Sequence, residues 1–238
     1  MQDRDSKILR FLALYRAAPR AVIEAQHFGG GNGDHVIQRL LEEGRIKSYS
    51  GLPGGLCYYQ LSITEAKQLH VPVHRGLPHS GAALREALAV LWFCCMAGKR
   101  RRRLERKEIG KLFGRGRGFG KPHCAEQGEG GGVIYRVYAP GPNSRNDYRI
   151  RTLREECRIV LEHPQLAKWV LAGAFRFAVL VETPGRLESI KKLLEKNGPW
   201  PLKIHLELVP GTNELATKIR KLREEQTTHA GPERHPAA

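Results

Sequence analysis

Apolar positions in the first part of the chain recur at the spacing of a helix. Ile8 and Leu12 lie one turn apart, and Pro19 ends this first pattern. Further along, Asp34 is a favourable N-cap and Gly44 a favourable C-cap for a segment with one apolar face. The pattern therefore predicts three short helices, over residues 5–18, 20–28 and 35–43.

A hairpin is predicted directly after these helices. Two β-prone segments, residues 46–50 and 57–63, flank a turn that contains Gly51, Pro53 and Gly54. Three helices followed by a two-stranded hairpin is the order of a winged helix-turn-helix, which places its third helix in the major groove of DNA. We predict such a domain over residues 1–76. The alternative is a domain of the same fold that contacts only proteins.

The polar side of the third helix and the start of the hairpin supply candidate DNA contacts. Glutamine suits the edge of adenine and arginine that of guanine, which makes Gln38 and Arg39 the candidates for base contacts. Residues at the hairpin can hold phosphates. An ion pair with Glu42 or Glu43 is the alternative for Arg39. The predicted contacts of this domain are Asn32, His35, Gln38, Arg39, Arg45, Lys47 and Tyr49.

Residues 77–121 are predicted to link this domain to the next. An apolar helix over residues 84–97 is expected to be buried between domains or at the interface of a homodimer. Residues 99–121 then carry eleven Lys or Arg and two Glu, a net +9 of the +16 of the whole chain.

Such clustered positive charge favours a polyanion, most commonly nucleic acid, over a solvated face that only keeps the protein soluble. A helix is predicted over Lys99–Phe113, and a flexible Gly/Arg arm follows it. The candidate phosphate contacts here are Arg100, Arg101, Arg102, Arg103, Arg115 and Arg117.

Strands alternate with helices in the second half of the chain. The predicted strands cover residues 133–139, 176–183 and 202–209, the second of them nearly continuously apolar. We predict a small α/β domain over residues 122–225 and a disordered tail over 226–238. The fold class is therefore α+β, an N-terminal winged helix followed by a small α/β domain.

The order of elements over residues 5–210 resembles that of a known family. Two segments carry this resemblance most clearly: YYQLSITEAKQL at residues 58–69 and the helix start at Pro78-His79. The chain resembles the bacterial replication-relaxation proteins of plasmids and integrative elements, whose second domain is similar to the restriction-endonuclease-like fold. The resemblance implies a protein that is associated with double-stranded DNA, and the cysteine pattern and the absence of a signal-peptide pattern favour a cytoplasmic, nucleoid-associated location. It also implies a role in transcriptional regulation or in replication and transfer of a mobile element.

Nuclease chemistry on that fold needs an Asp and an Asp/Glu-x-Lys that hold a metal ion. The corresponding segments here are Lys121-Pro122-His123 and Tyr135-Arg136-Val137-Tyr138, which contain no carboxylate. We therefore predict a protein that is not an enzyme and has no cofactor or metal. The alternatives are a metal-dependent nuclease with an unrecognised site, for which Glu182 is a candidate, and an RNA-binding protein that uses the Gly/Arg arm.

Three further patterns limit the function. No apolar run approaches the ~20 residues of a membrane span, so no membrane partner is expected. The five cysteines form no CxxC pair, which favours reduced thiols over a zinc site. Arg145, Arg149 and Arg151 occupy a loop that can bind phosphate, and an exposed loop without a ligand is the alternative.

Overall fold

The computed structural model describes residues 3–114, 120–128, 131–141 and 145–229. It divides into two compact units. The first unit consists of the described residues of Met1–Ala87 and Thr212–Ala238, and the second is formed by those of Leu88–Gly211. The α+β fold class is confirmed, because both helices and sheets are present.

The first unit begins with a helical part that matches the predicted pattern closely. Its elements are α1 (Asp3–Tyr15), β1 (Ala18–Pro19), α2 (Arg20–His27), α3 (Asp34–Glu42), β2 (Ile46–Ser50), β3 (Cys57–Leu61) and α4 (Ile63–Gln68). The three predicted helices and the hairpin are confirmed. Helix α5 (Gly81–Cys95) follows and crosses the boundary between the units.

The sheet of the first unit has three antiparallel strands in the order β1-β3-β2. Tyr49 of β2 lies opposite Tyr58 of β3, and their rings stack with centroids 5.7 Å apart. The short strand β1 was not predicted. It exists because Ala18 pairs with Tyr59, a partner that no local pattern reveals.

The second unit is built on a mixed sheet of five strands. Its elements are β4 (Arg101–Arg103), α6 (Arg106–Phe113), β5 (His123–Gly128), β6 (Gly131–Tyr138), α7 (Asn146–Leu161), α8 (Pro164–Leu171), β7 (Phe175–Val181), α9 (Pro184–Lys196) and β8 (Lys203–Leu208). The strand order is β4-β5-β6-β7-β8. Strand β5 pairs antiparallel with both of its neighbours, β4 and β6, whereas β6, β7 and β8 are parallel.

Aromatic and aliphatic side chains fill the core beside this sheet. Phe113 of α6 packs edge to face against Trp169 of α8 and Phe175 of β7. The cluster around them consists of Leu104, Ile109, Phe113, Ile134, Cys157, Val160, Leu166, Phe175, Phe177 and Leu202. Helix α6 therefore buries one face although its other face is strongly basic.

The helix predicted over Lys99–Phe113 is wrong in its first half. Arg101–Arg103 form β4 and pair with β5, and α6 begins only at Arg106. A capping box between Glu105 and Glu108 fixes this start, because each side chain accepts a hydrogen bond from the other residue's backbone N–H. Arg115 and Arg117, predicted on the Gly/Arg arm, lie outside the described residues.

The division of the chain differs from the predicted boundaries at two places. Leu88–Lys121 was assigned to a linker, but its described residues belong to the second unit, because β4 is part of the sheet. Helix α10 (Thr212–His229) was assigned to the α/β domain and to the tail, but it belongs to the first unit. There, Gln226 donates a hydrogen bond to the carbonyl oxygen of Ala21 at 3.1 Å.

Helix α5 does not offer the apolar face that the homodimer prediction used. Leu84, Leu88 and Leu91 are buried within the single chain. A dimer therefore needs another surface. Among the described residues, every helix is too short or too polar to traverse a lipid bilayer.

Candidate nucleic-acid interface

The polar side of α3 presents the predicted base-contacting residues to solvent. Asn32, His35 and Gln38 are exposed. Asn32 Oδ1 accepts hydrogen bonds from the backbone N–H of Asp34 at 2.7 Å and from Arg20 at 3.2 Å. Gln38 donates to Glu42 at 3.1 Å, an exposed bond that a ligand can replace. These three side chains are in positions from which they can contact a partner.

Two of the predicted arginines are instead held by buried carboxylates. Arg39 Nη2 lies 2.7 Å from Asp5 Oδ1, and Asp5 is buried. Arg45 donates two hydrogen bonds to Glu65, at 2.9 and 3.0 Å, and Glu65 is also buried. The predicted alternative for Arg39 is present too, because Glu43 lies 3.7 Å away. We therefore assign both arginines a stabilising role, since withdrawing either leaves a buried carboxylate without its charge partner.

The β2–β3 hairpin carries the other two predicted contacts of the first unit. Lys47 is exposed and directly available to a phosphate. Tyr49 is half-buried because its ring stacks on Tyr58. The stacking stabilises the hairpin, and only part of the ring is accessible to a ligand.

Arg101 corrects the interpretation of the basic segment. Its side chain is 0% exposed and forms ion pairs with Glu126 at 2.5 Å and Glu207 at 2.8 Å. Its guanidinium also lies 3.7 Å from the centroid of the Phe93 ring. Burial by itself would lower the pKa of Arg101, but the two carboxylates outweigh it and raise the pKa. Arg101 is a core residue and cannot reach a phosphate in this structure.

The rest of the basic segment is largely at the surface. Arg102 is exposed but paired with Glu108 at 2.6 Å, and Arg103 is half-buried. Four further cations are exposed and form no ion pair with any residue that the structure describes: Arg100, Arg106, Lys107 and Lys111. Three of them lie on α6, and Arg100 directly precedes β4. We call this group of four residues the α6 cationic face. The sequence alone does not show that these four cations are exposed and unpaired with described residues while their neighbours are paired or buried.

The sheet brings together one residue from each of the two segments in which nuclease carboxylates were sought. His123 of β5 and Arg136 of β6 are direct register partners. Burial lowers the pKa of His123 to about 3, with a further contribution from Arg136. Arg136 is buried and paired with Glu156 of α7, and desolvation lowers its pKa despite this partner. A neutral histidine and an arginine cannot replace the carboxylates that bind Mg²⁺.

A metal site is also not found elsewhere in the described part of the chain, where no three His, Cys, Asp or Glu side chains are grouped suitably. Glu182, the candidate of the nuclease alternative, follows β7. Its Oε2 lies 3.8 Å from the Cβ position of Gly211, on the β8 side of the sheet.

The phosphate loop predicted with Arg145, Arg149 and Arg151 is wrong for two of these residues, because Arg149 and Arg151 lie on α7 and only Arg145 precedes it. Arg145 and Arg151 are exposed, whereas Arg149 is 1% exposed. Arg149 Nη2 donates a hydrogen bond to the carbonyl oxygen of Gly141 at 2.9 Å.

Comparison of the chain with protein-family models, with curated proteins and with solved structures gives no significant match. The resemblance to replication-relaxation proteins therefore stays a prediction.

Proposed function

We propose that the protein binds double-stranded DNA, with the first unit contacting bases and the α6 cationic face contacting phosphates. The observation that carries the proposal is this face of four exposed cations without described ion partners. Duplex DNA carries a regular array of phosphates, and neutralising them releases counterions, which drives binding. Exposed like charges repel one another in the absence of such a partner.

The arrangement of the first unit supports the DNA-binding part of this proposal. Helices α1, α2 and α3 precede an antiparallel hairpin, and β1 completes a three-stranded sheet. This order of elements supports a winged helix, in which α3 would enter the major groove and the hairpin would lie beside the backbone. In this assignment Asn32, His35 and Gln38 contact bases, and Lys47 contacts the backbone.

We further propose that the second unit is a restriction-endonuclease-like scaffold without a metal site. The mixed five-stranded sheet supports the scaffold, and the pairing of His123 with Arg136, in the segments where carboxylates are expected, supports the absence of a metal site. The protein is then a DNA-binding accessory or regulatory factor of a mobile element, acting as a homodimer on a two-fold symmetric site.

The contribution of the α6 cationic face to DNA binding is tested by removing positive charge from either of two helices. One variant combines Arg106→Gln, Lys107→Gln and Lys111→Gln on α6. Its matched control combines Lys191→Gln, Lys192→Gln and Lys196→Gln, three exposed lysines on α9. Both variants lose the same charge from the same unit. Fluorescence anisotropy with a labelled duplex, repeated over a series of salt concentrations, measures the affinity and its salt dependence.

We expect the α6 variant to bind every duplex more weakly. Its slope of log affinity against log salt should fall by up to about 2.7, which is 0.9 for each phosphate contact. The α9 control should keep the slope of the unmodified protein. Equal losses in both variants would contradict the proposal, because they would show a dependence on net charge alone. Tighter binding of single-stranded RNA than of duplex DNA would favour the RNA-binding alternative, and metal-dependent nicking of plasmid DNA would favour the nuclease.

A further inference from the structure

Two of the five cysteines meet inside the second unit. The Sγ atoms of Cys94 and Cys124 lie 3.3 Å apart, although the two residues are 30 positions apart in the chain. Cys94 is 4% exposed and Cys124 is 0% exposed, and both are reduced thiols in this structure. The sulfur atoms of a disulfide are about 2.05 Å apart, so the two thiols need to approach by only about 1.3 Å to form one.

The packing of α5 on the sheet brings these two thiols together. Cys124 lies on β5, opposite Arg103 of β4 on one side and opposite Tyr135 of β6 on the other. Phe93, the residue before Cys94 on α5, packs edge to face against the same Tyr135, with ring centroids 5.5 Å apart. Because Cys124 and Tyr135 are register partners, this contact places the end of α5 beside Cys124. The contact between the sulfur atoms therefore follows from the core packing of the unit.

Cys94 is the member of the pair that a small oxidant reaches first. Buried thiols react only when the structure around them opens. Cys94 is the next-to-last residue of α5, which ends at Cys95, and helix ends open more readily than the interior of a sheet. Cys124 is held between two strands and stays in place during such an opening. A thiol that an oxidant can reach, next to a second thiol that reacts with its oxidised form, is typical of a redox sensor.

The other cysteines allow pairing and exposure to be told apart. Cys157 is also buried in the second unit, and burial raises the pKa of its thiol to about 12. No second thiol lies within hydrogen-bonding distance of its Sγ atom in the part of the chain that the structure describes. Cys57 and Cys95 are half-buried and therefore more accessible than either member of the pair. If exposure alone governed oxidation, Cys57 and Cys95 would react before Cys94 and Cys124.

We propose that Cys94 and Cys124 form a reversible disulfide when the protein is oxidised by hydrogen peroxide. The peroxide oxidises the Cys94 thiol to a sulfenic acid and is itself reduced to water. The Sγ atom of Cys124 then attacks the sulfenic sulfur, so that an S–S bond forms, the S–OH bond breaks, and the hydroxyl leaves as water with the proton of the Cys124 thiol. A dithiol reductant reverses the bond by exchange. The bond closes a loop that contains the α6 cationic face, but its formation does not depend on DNA binding.

Peptide mapping of the full chain after treatment with hydrogen peroxide tests the pair. The folded protein is oxidised, unfolded in urea, alkylated with iodoacetamide and digested with trypsin. We expect alkylation of three of the five cysteines after oxidation and of all five after reduction with dithiothreitol. The peptide of residues 86–99 should be linked to that of residues 118–136, with the loss of two hydrogens. Because the first peptide contains both Cys94 and Cys95, the same link in Cys95→Ser assigns the bond to Cys94.

Thermal unfolding of the same samples measures the effect of the bond on stability. Oxidation should raise the Tm, because a cross-link over 30 positions restricts the unfolded chain. The rise should be absent in Cys124→Ala and retained in the matched control Cys57→Ala. The proposal is overturned if no disulfide forms, if the link joins another pair of cysteines, or if Cys57→Ala loses the rise as Cys124→Ala does. The map of the unmodified protein decides the question even if Cys124→Ala does not fold.

Discussion

The Nη1 atom of Arg101 lies 2.8 Å from both carboxylate oxygens of Glu207, a residue 106 positions away in the chain. Arg100, its immediate neighbour, is exposed and has no ion partner among the described residues. Arg101 is the first residue of β4 and its side chain is buried, whereas Arg100 directly precedes the strand, so two adjacent arginines have opposite roles. Arg101 holds the second unit together, and Arg100 is available to a ligand.

This difference predicts opposite outcomes for two conservative substitutions. Arg101→Gln should destabilise the protein by about 3 kcal/mol, because it removes a fully buried cation that pairs with Glu126 and with the half-buried Glu207 and leaves Glu207 only the more distant Lys99 at 3.7 Å. Arg100→Gln should change the free energy of unfolding by less than about 0.5 kcal/mol and should weaken DNA binding. Urea unfolding and anisotropy on the same samples measure both effects. Similar stability losses in the two variants would show that Arg101 is not selectively buried.

Acidification should destabilise the protein through His123. The unfolded chain takes up a proton at this residue below its ordinary pKa of 6.5, whereas the folded chain does not until the pH approaches about 3. The free energy of unfolding should therefore fall by about 1.6 kcal/mol between pH 6.5 and pH 5 from this residue. Urea unfolding at both pH values measures it. His123→Gln should flatten this part of the pH dependence, and an unchanged slope would contradict the buried, neutral state.

Substitutions at two neighbouring residues of α3 should have different effects. One should change DNA recognition, and the other should change the free energy of unfolding. Gln38→Ala should reduce discrimination between DNA sequences by about 1–3 kcal/mol if it contacts a base, with unfolding unchanged. Arg39→Ala should destabilise the first unit by about 2 kcal/mol, because Asp5 loses its partner. Competition between a selected duplex and a random one measures discrimination, and urea unfolding measures stability. A loss of stability in Gln38→Ala would show that Gln38 stabilises the first unit and would contradict a role confined to DNA recognition.

A pair of glycines in the turn of the hairpin tests the position of α10. Gly54 and Gly55 both have a positive φ, so alanine is strained at either. A Cβ at Gly54 would lie 1.4 Å from Arg220 Nη2, whereas a Cβ at Gly55 would meet nothing within 4 Å. Gly54→Ala should therefore lower the Tm more than Gly55→Ala. Combining each change with Arg220→Ala should remove the difference, and a difference that persists would count against this contact.

Local pattern was sufficient to predict much of the fold. Helices α1 to α3 and the β2–β3 hairpin follow from apolar spacing and turn residues, which act over a few positions. Strand β4 could not be predicted, because three arginines carry no apolar alternation. It forms through backbone pairing with β5, about twenty residues later, and through burial of one arginine against two distant carboxylates. Such pairing depends on the assembled sheet.

The candidate site shows the same limit. Sequence identified where positive charge is concentrated, but the exposure of each cation depends on partners far along the chain. Arg39 is held by Asp5, and Arg45 by Glu65. These pairs join residues 34 and 20 positions apart, beyond the reach of helical i,i+4 rules. Only the structure separates the exposed cations on and beside α6 from the arginines that are held by carboxylates.

Strand β4 also affects whether copies of the protein associate with one another through the edges of their sheets. It forms an outer strand of the five-stranded sheet, and it is three residues long. An open strand edge offers unpaired backbone groups to other chains, and short strands with charged side chains prevent such edge-to-edge association. The three arginines of β4, which are ion-paired or half-buried, therefore also discourage aggregation of the sheet. Replacing them with neutral residues would expose the protein to self-association even where DNA binding is dispensable.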